Sequence, residues 1–132
     1  MSSRITVNYE NKPAYDITIE PDFFGLTQKL HSLGMEGRRF MVVSDSNVGG
    51  HYLEEIKELL SFPGKPAESF IFPAGEAYKN LNTVNECYEQ LIKSGFDRND
   101  VLIALGGGVV GDLTGFAAST YLRGIRFIQI PT

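Results

Sequence analysis

Residues 104–116 read ALGGGVVGDLTGF, and within them Gly106, Gly108 and Gly111 fit the spacing G-x-G-x-x-G, with Gly107 between the first two. A residue without a β-carbon permits a tight turn and lets a ligand come close to main-chain N–H groups. The apolar run that follows predicts a helix starting near Val109. Its free N–H groups and the positive end of its dipole would then point out of the loop, which suits an anion such as a pyrophosphate. Asp112 follows in the helix start, where the dipole alone favours a carboxylate by ~0.3–1 kcal/mol. The same letters fit a glycine turn selected for helix–strand packing equally well, so the loop by itself leaves both readings open.

The common dinucleotide-binding arrangement also asks for a carboxylate ~20 residues after the glycines, to hold ribose hydroxyls. Residues 113–132 contain no Asp or Glu. Asp45, at the end of an earlier apolar run, is the candidate for that task from the other side of the loop, with Ser46 and Asn47 beside it. The stretch PAGEAYK (73–79) adds Gly75, Glu76 and Lys79, and Thr132 follows IQIP. Each has a plainer reading. Asp45 and Asn47 suit helix caps, Glu76 and Lys79 a solvated ion pair. Arg123, close to Arg126, suits a helix end where cations are favoured. His31 and His51 have no cysteine or carboxylate at ligand spacing and read as surface residues. Cys87 falls on an apolar helix face and reads as core. No Ser-His-Asp constellation is present.

Positioning these residues is the work of the elements around them. Ile5, Val7 and Tyr9 alternate with polar residues, as do Tyr15, Ile17 and Ile19, which predicts an antiparallel hairpin with ENKPA as its loop. Phe23, Leu26, Leu30 and Leu33 then recur at helical spacing up to Gly34. RFMVVSD (39–45) reads as a strand, and 47–60 as a helix with Tyr52, Ile56, Leu59 and Leu60 inward. A strand begins at SFIF (69–72). Leu81, Val84, Cys87, Tyr88 and Leu91 line the next helix, which Gly95 ends. VLIAL (101–105) is unbroken apolar sequence, as in a strand buried on both faces. Residues 109–122 read as a helix and 125–130 as a strand. This alternation predicts an α/β fold: a Rossmann-like parallel sheet with helices on both faces, preceded by the N-terminal β-hairpin. The sequence offers no internal domain boundary. Ligands in such sheets lie beyond the carboxyl ends of the strands, where every candidate except Arg123 falls.

With 132 residues, 42% of them hydrophobic and 21% charged, the chain has enough apolar material for a core. A net charge of −4 offers no basic field for nucleic acid or an anionic membrane. One cysteine excludes an intrachain disulfide and suits a reducing, cytoplasmic setting. No apolar run approaches the ~20 residues of a membrane span.

Taken together, PAGEAYKN (73–80), SDSNV (44–48) and above all ALGGGVVGDLTGFAASTYLRGIRFIQIPT (104–132) resemble the 3-dehydroquinate synthase family. The resemblance implies an enzyme that uses NAD and a divalent metal, zinc or cobalt. Such an enzyme converts the seven-carbon phosphorylated sugar acid of the shikimate pathway, 3-deoxy-D-arabino-heptulosonate 7-phosphate, to 3-dehydroquinate and phosphate, and is typically a homodimer. It implies cofactor contacts at Asp45, Ser46, Asn47, Gly75, Glu76, Lys79, Gly106, Gly107, Gly108, Val109, Gly111, Asp112 and Thr132. It also implies that Arg123 contacts substrate phosphate, often across the dimer interface. The family continues well past IPT into a segment that carries the metal ligands. The chain is therefore expected to be an NAD-binding domain spanning residues 1–132, truncated and inactive alone. The alternatives are a domain of another sugar-phosphate cyclase, of a metal-dependent polyol or alcohol dehydrogenase, or a non-catalytic nucleotide-binding module.

Overall fold

The most apolar segment of the chain lies at the centre of its sheet. In a computed structural model that describes residues 3–132, strand β5 (Val101–Gly106) is buried along its whole length. It lies between β3 (Phe40–Asp45) and β6 (Arg126–Pro131), with β4 (Glu68–Phe72) outside β3. All pairings in this four-stranded sheet are parallel, in the order β4-β3-β5-β6.

Alternation sorts the side chains to two faces. Met41, Val43, Leu102 and Ala104 pack with α3 (Leu81–Lys93) and α4 (Gly108–Thr120). Phe40, Val42, Val101, Ile103 and Leu105 pack with α1 (Leu26–Ser32) and α2 (Gly49–Leu60). Helices therefore cover both faces, as the buried run predicts. β3 connects outward through α2 to β4, whereas β5 connects the opposite way through α4 to β6. The gap between the carboxyl ends of β3 and β5 is thus a topological switch point, where open α/β sheets take ligands. The register sets the ends level: Ser44 pairs with Leu105, Asp45 with Phe72, and Gly106 with Pro131.

The first two strands form a separate antiparallel sheet, β1 (Ser3–Tyr9) and β2 (Lys12–Ile19). The expected five-residue loop is only Glu10 and Asn11, both left-handed at φ +50° and +65°. Such a two-residue turn matches the strand twist. Pro13 sits inside β2 opposite Asn8, where the register shifts; a proline is tolerated at such an edge irregularity. Ile5, Ile17 and Ile19 share one side but are 53%, 44% and 56% exposed.

Four helix readings need correction. The first helix covers only Leu26–Ser32: Phe23 lies in the turn before it and Leu33 is exposed. The second starts at Gly49 rather than residue 47, because the Asp45 carboxylate accepts from the N–H groups of Asn47 and Val48 and holds them in a turn. Leu81 and Tyr52, expected inward, are exposed at helix starts that face solvent. The fourth helix ends at Thr120, not residue 122, because Tyr121 turns extended.

These burial differences separate the sheet from the hairpin. Ile103→Ala is expected to lower unfolding free energy by ~2–5 kcal/mol, and Ile17→Ala by less than ~0.5 kcal/mol, in urea titrations. Comparable losses for both would contradict this packing.

Candidate functional site

The glycines after β5 do different jobs. Gly106 has φ +155°, and a β-carbon there would lie 2.7 Å from Cγ2 of Val110, itself fully buried. Gly111 faces β6, where a side chain would run into the amide group of Gln129. Gly111 thus lies against the movable end of a flexible side chain, whereas Gly106 is required by the chain's own packing. Gly107 and Gly108 are not: neither has positive φ, and a β-carbon at either would meet nothing within 4 Å. The bare backbone at Gly107 and Gly108 leaves open space against the first turn of α4.

That turn also keeps its donors. The start of α3 is capped by Asn80, whose Oδ1 accepts from the Thr83 N–H at 2.9 Å. The turn before α2 is held by Asp45, which accepts from the Val48 N–H at 2.8 Å and the Asn47 N–H at 3.0 Å, while the helix start itself has no side-chain cap. The start of α4 has no side-chain cap. Its first N–H groups, those of Gly108, Val109 and Val110, lie where no intrahelical acceptor exists. The N–H of Thr132 donates to the Gly106 carbonyl at 3.2 Å, so the end of β6 lies along the same loop.

The second wall comes from the segment after β4. The Lys79 ammonium bonds Oδ2 of Asp112 at 2.8 Å and stands 3.6 Å from Glu76. The hydrogen bond and charge of Asp112, with Glu76 adding to them, raise the Lys79 pKa above its ordinary value. Lys79 therefore remains a cation at neutral pH. Its folded pKa lies above the unfolded one, so its contribution to stability is full below the ordinary lysine value and is lost as pH rises through the raised one. Gly75, at φ +124°, turns the chain into this segment. The Ser46 hydroxyl accepts from the Ala74 N–H at 2.9 Å, and the Ser46 N–H donates to the Phe72 carbonyl at 2.9 Å, so the loops after β3 and β4 are tied together. Between the starts of α3 and α4 lies an open groove of about 330 Å³, lined by Lys79, Asn80, Val84, Asp112, Leu113 and Phe116 among others.

The structure thus brings Asp45, Ser46, Asn47, Gly75, Glu76, Lys79, Gly106, Gly107, Gly108, Val109, Gly111, Asp112 and Thr132 to one edge of the sheet. It does not bring Arg123 there. That residue follows the far end of α4, a 13-residue helix, and at ~1.5 Å per residue stands roughly 20 Å from the glycine loop. Sequence reasoning paired Lys79 with Glu76, its neighbour in the chain; the shorter partner is Asp112, 33 positions away. It also missed Asn80, although an Asn at a helix start is a readable cap signal. Cys87 is fully buried, and burial pushes its thiol up to about 12, so it is no nucleophile. Among the described residues no group of three His, Cys, Asp or Glu could hold a metal ion.

The sheet order and this edge define a doubly wound α/β domain whose switch point presents uncapped helix N–H groups and a lysine. The family model for the 3-dehydroquinate synthase N-terminal region matches residues 69–132. The 3-dehydroquinate synthase of Streptococcus thermophilus is 49% identical over 130 residues, covering 98% of this chain and 36% of that protein. A crystal structure of 2-deoxy-scyllo-inosose synthase aligns with 100% of this chain and 36% of its own, at TM-score 0.78 and 26% identity. Another structure of 2-deoxy-scyllo-inosose synthase, complexed with carbaglucose-6-phosphate, NAD+ and Co2+, aligns with 80% of this chain and 30% of its own, at TM-score 0.68 and 33% identity. The chain belongs to the 3-dehydroquinate synthase family, and it spans about a third of the length of the curated relatives it matches.

Two outcomes follow from the geometry of this edge. Gly106→Ala is expected to lower stability by roughly 1–3 kcal/mol through the clash with Val110, whereas Gly108→Ala is neutral or stabilising by up to ~1 kcal/mol; chemical denaturation of the two variants compares them. In Asp112→Asn the Lys79 ammonium is expected to titrate at lower pH than in the parent, followed by NMR of the side chain. An unmoved titration would mean that Asp112 does not set the charge of Lys79.

Proposed function

We propose that this chain is the NAD-binding part of a 3-dehydroquinate synthase, an enzyme that takes a seven-carbon phosphorylated sugar acid to 3-dehydroquinate and releases phosphate. The observation that carries the reading is the uncapped start of α4, with open space over Gly107 and Gly108 at the switch point of the sheet. A pyrophosphate fits there because the N–H groups of Gly108 and Val109 are free to donate and no β-carbon blocks the approach.

In this reading Asp45 and Asn47 face the adenosine ribose. One Asp45 oxygen already holds the loop before α2, which leaves the other to accept from a hydroxyl. Ser46 keeps the loops after β3 and β4 in register. Lys79 balances the cofactor's negative charge, while Glu76 and Asp112 fix where that ammonium stands. The aspartate then lies towards the nicotinamide half, and Thr132 borders the pyrophosphate loop. When bound, NAD supplies a reversible hydride acceptor for a substrate hydroxyl. Arg123, exposed and in no ion pair among the described residues, serves the substrate's phosphate rather than the cofactor; its planar guanidinium suits a phosphate monoester. A structure of a related cyclase holds a phosphorylated sugar analogue, which supports a substrate of this kind. The divalent metal, zinc or cobalt, would be held by residues other than these. The whole enzyme is read as a cytoplasmic homodimer, and these 132 residues as insufficient for turnover.

Calorimetry tests the cofactor reading. The chain is expected to bind NAD in preference to ADP or ATP. Gly108→Val, which keeps the fold but fills the open space, is expected to weaken NAD at least tenfold, a loss of ~1.4 kcal/mol or more. Undiminished NAD affinity in a folded Gly108→Val chain would sink the assignment.

A further inference from the structure

Apart from the hairpin turn at Glu10 and Asn11, the left-handed residues with β-carbons lie not in the glycine loop but at the opposite end of α4. There Leu122 (φ +48°, ψ +36°) and Arg123 (φ +69°) are both left-handed, followed by Gly124 at φ +116°. Two successive residues with β-carbons in that region are disfavoured and persist only where the surroundings over-determine them. Burial of Leu122 is not what holds the turn, since that side chain is 45% exposed.

The hold comes from Tyr121. Its side chain is buried, its hydroxyl donates to the Phe96 carbonyl at 2.9 Å, and its ring stacks on Tyr88 with centroids 6.3 Å apart. The Tyr88 hydroxyl is in turn bonded to Thr120. Beyond the turn, the Gly124 N–H returns to the Tyr121 carbonyl and the Ile125 N–H to the Ala118 carbonyl, each at 2.8 Å. Both ends are therefore clamped, and Leu122 and Arg123 bridge them. If connecting α4 to β6 were the only requirement, glycine would suit both positions better. Instead the turn carries an exposed arginine with no ion-pair partner among the described residues.

We propose that Tyr121 is a positioning residue: by anchoring this left-handed turn it holds the Arg123 guanidinium in the orientation that takes a phosphate monoester of the substrate. The proposal rests on the reading of Arg123 given under Proposed function. Arg123 cannot reach the glycine loop of its own chain, so the phosphate it meets is not the cofactor pyrophosphate, and the two contacts are separable by experiment.

The test is steady-state kinetics of the whole enzyme with the phosphorylated sugar acid, together with NAD titration and thermal melting. Tyr121→Phe keeps the ring but loses the bond to Phe96. It is expected to raise the substrate KM about tenfold, the size of one such bond, with kcat and NAD affinity nearly unchanged. Adding Leu122→Gly to Tyr121→Phe is expected to recover most of the KM, because glycine takes the left-handed conformation without the anchor. Leu122→Gly alone is expected to raise the melting temperature and leave KM as it was. An unchanged KM in Tyr121→Phe would overturn the proposal, as would a raised KM that Leu122→Gly does not recover, or a lower melting temperature in Leu122→Gly. Arg123→Ala separates the two layers. If it leaves KM unchanged, the phosphate role of Arg123 fails and the proposal with it. If it raises KM while Tyr121→Phe does not, only the positioning role fails.

Discussion

The carboxyl edge of this molecule depends on how one strand ends. β5 is buried on both faces and leads from its last residue, Gly106, through a single further glycine into the first turn of α4. That change of direction brings Val110 over Gly106, so close that only a hydrogen atom fits between them. Because α4 begins so soon after the strand, its N-terminal N–H groups open at the level of the strand ends, beside the loops after β3 and β4. A longer connection would move those donors away from Asp45, Lys79 and Thr132. The packing constraint at Gly106 thus determines where an anion can be received, although Gly106 need not touch the anion itself.

The loops around that point are tied by single hydrogen bonds rather than by a further layer of structure. Ser46 bonds Ala74, Lys79 bonds Asp112, and Thr132 bonds Gly106, each tie joining segments distant in sequence. Of the three helix starts at this edge only that of α3 has a side-chain cap, Asn80, while Asp45 holds the turn that leads into α2. The first N–H groups of α4 are left without a side-chain acceptor. An exposed Lys79–Asp112 pair adds little to stability, so its larger consequence is to fix an ammonium group beside those donors.

The two ends of α4 contrast in kind. At its start, unhindered glycines leave backbone donors open; at its end, two ordinary residues follow buried Tyr121 in a conformation that glycine favours. One helix thereby separates a place for backbone recognition of an anion from an arginine at its other end. A helix is the suitable spacer because its length per residue is nearly invariant.

Read alone, the sequence determined the layered α/β class, the central place of residues 101–105, the hairpin and the edge on which the candidate residues gather. Those are matters of periodicity and of strand–helix alternation, which act locally. It could not assign separate roles to the glycines, since Gly106 is required by its contact with Val110 and Gly107 and Gly108 by none. It paired Lys79 with Glu76 because they are neighbours in the chain, and it ran the last helix on through Leu122, because nothing local marks the stop. The tertiary structure decided these points. Asp112 reaches Lys79 only after α4 has folded back over the sheet, and where the helix ends the Tyr121 hydroxyl donates to the carbonyl of Phe96, on another segment.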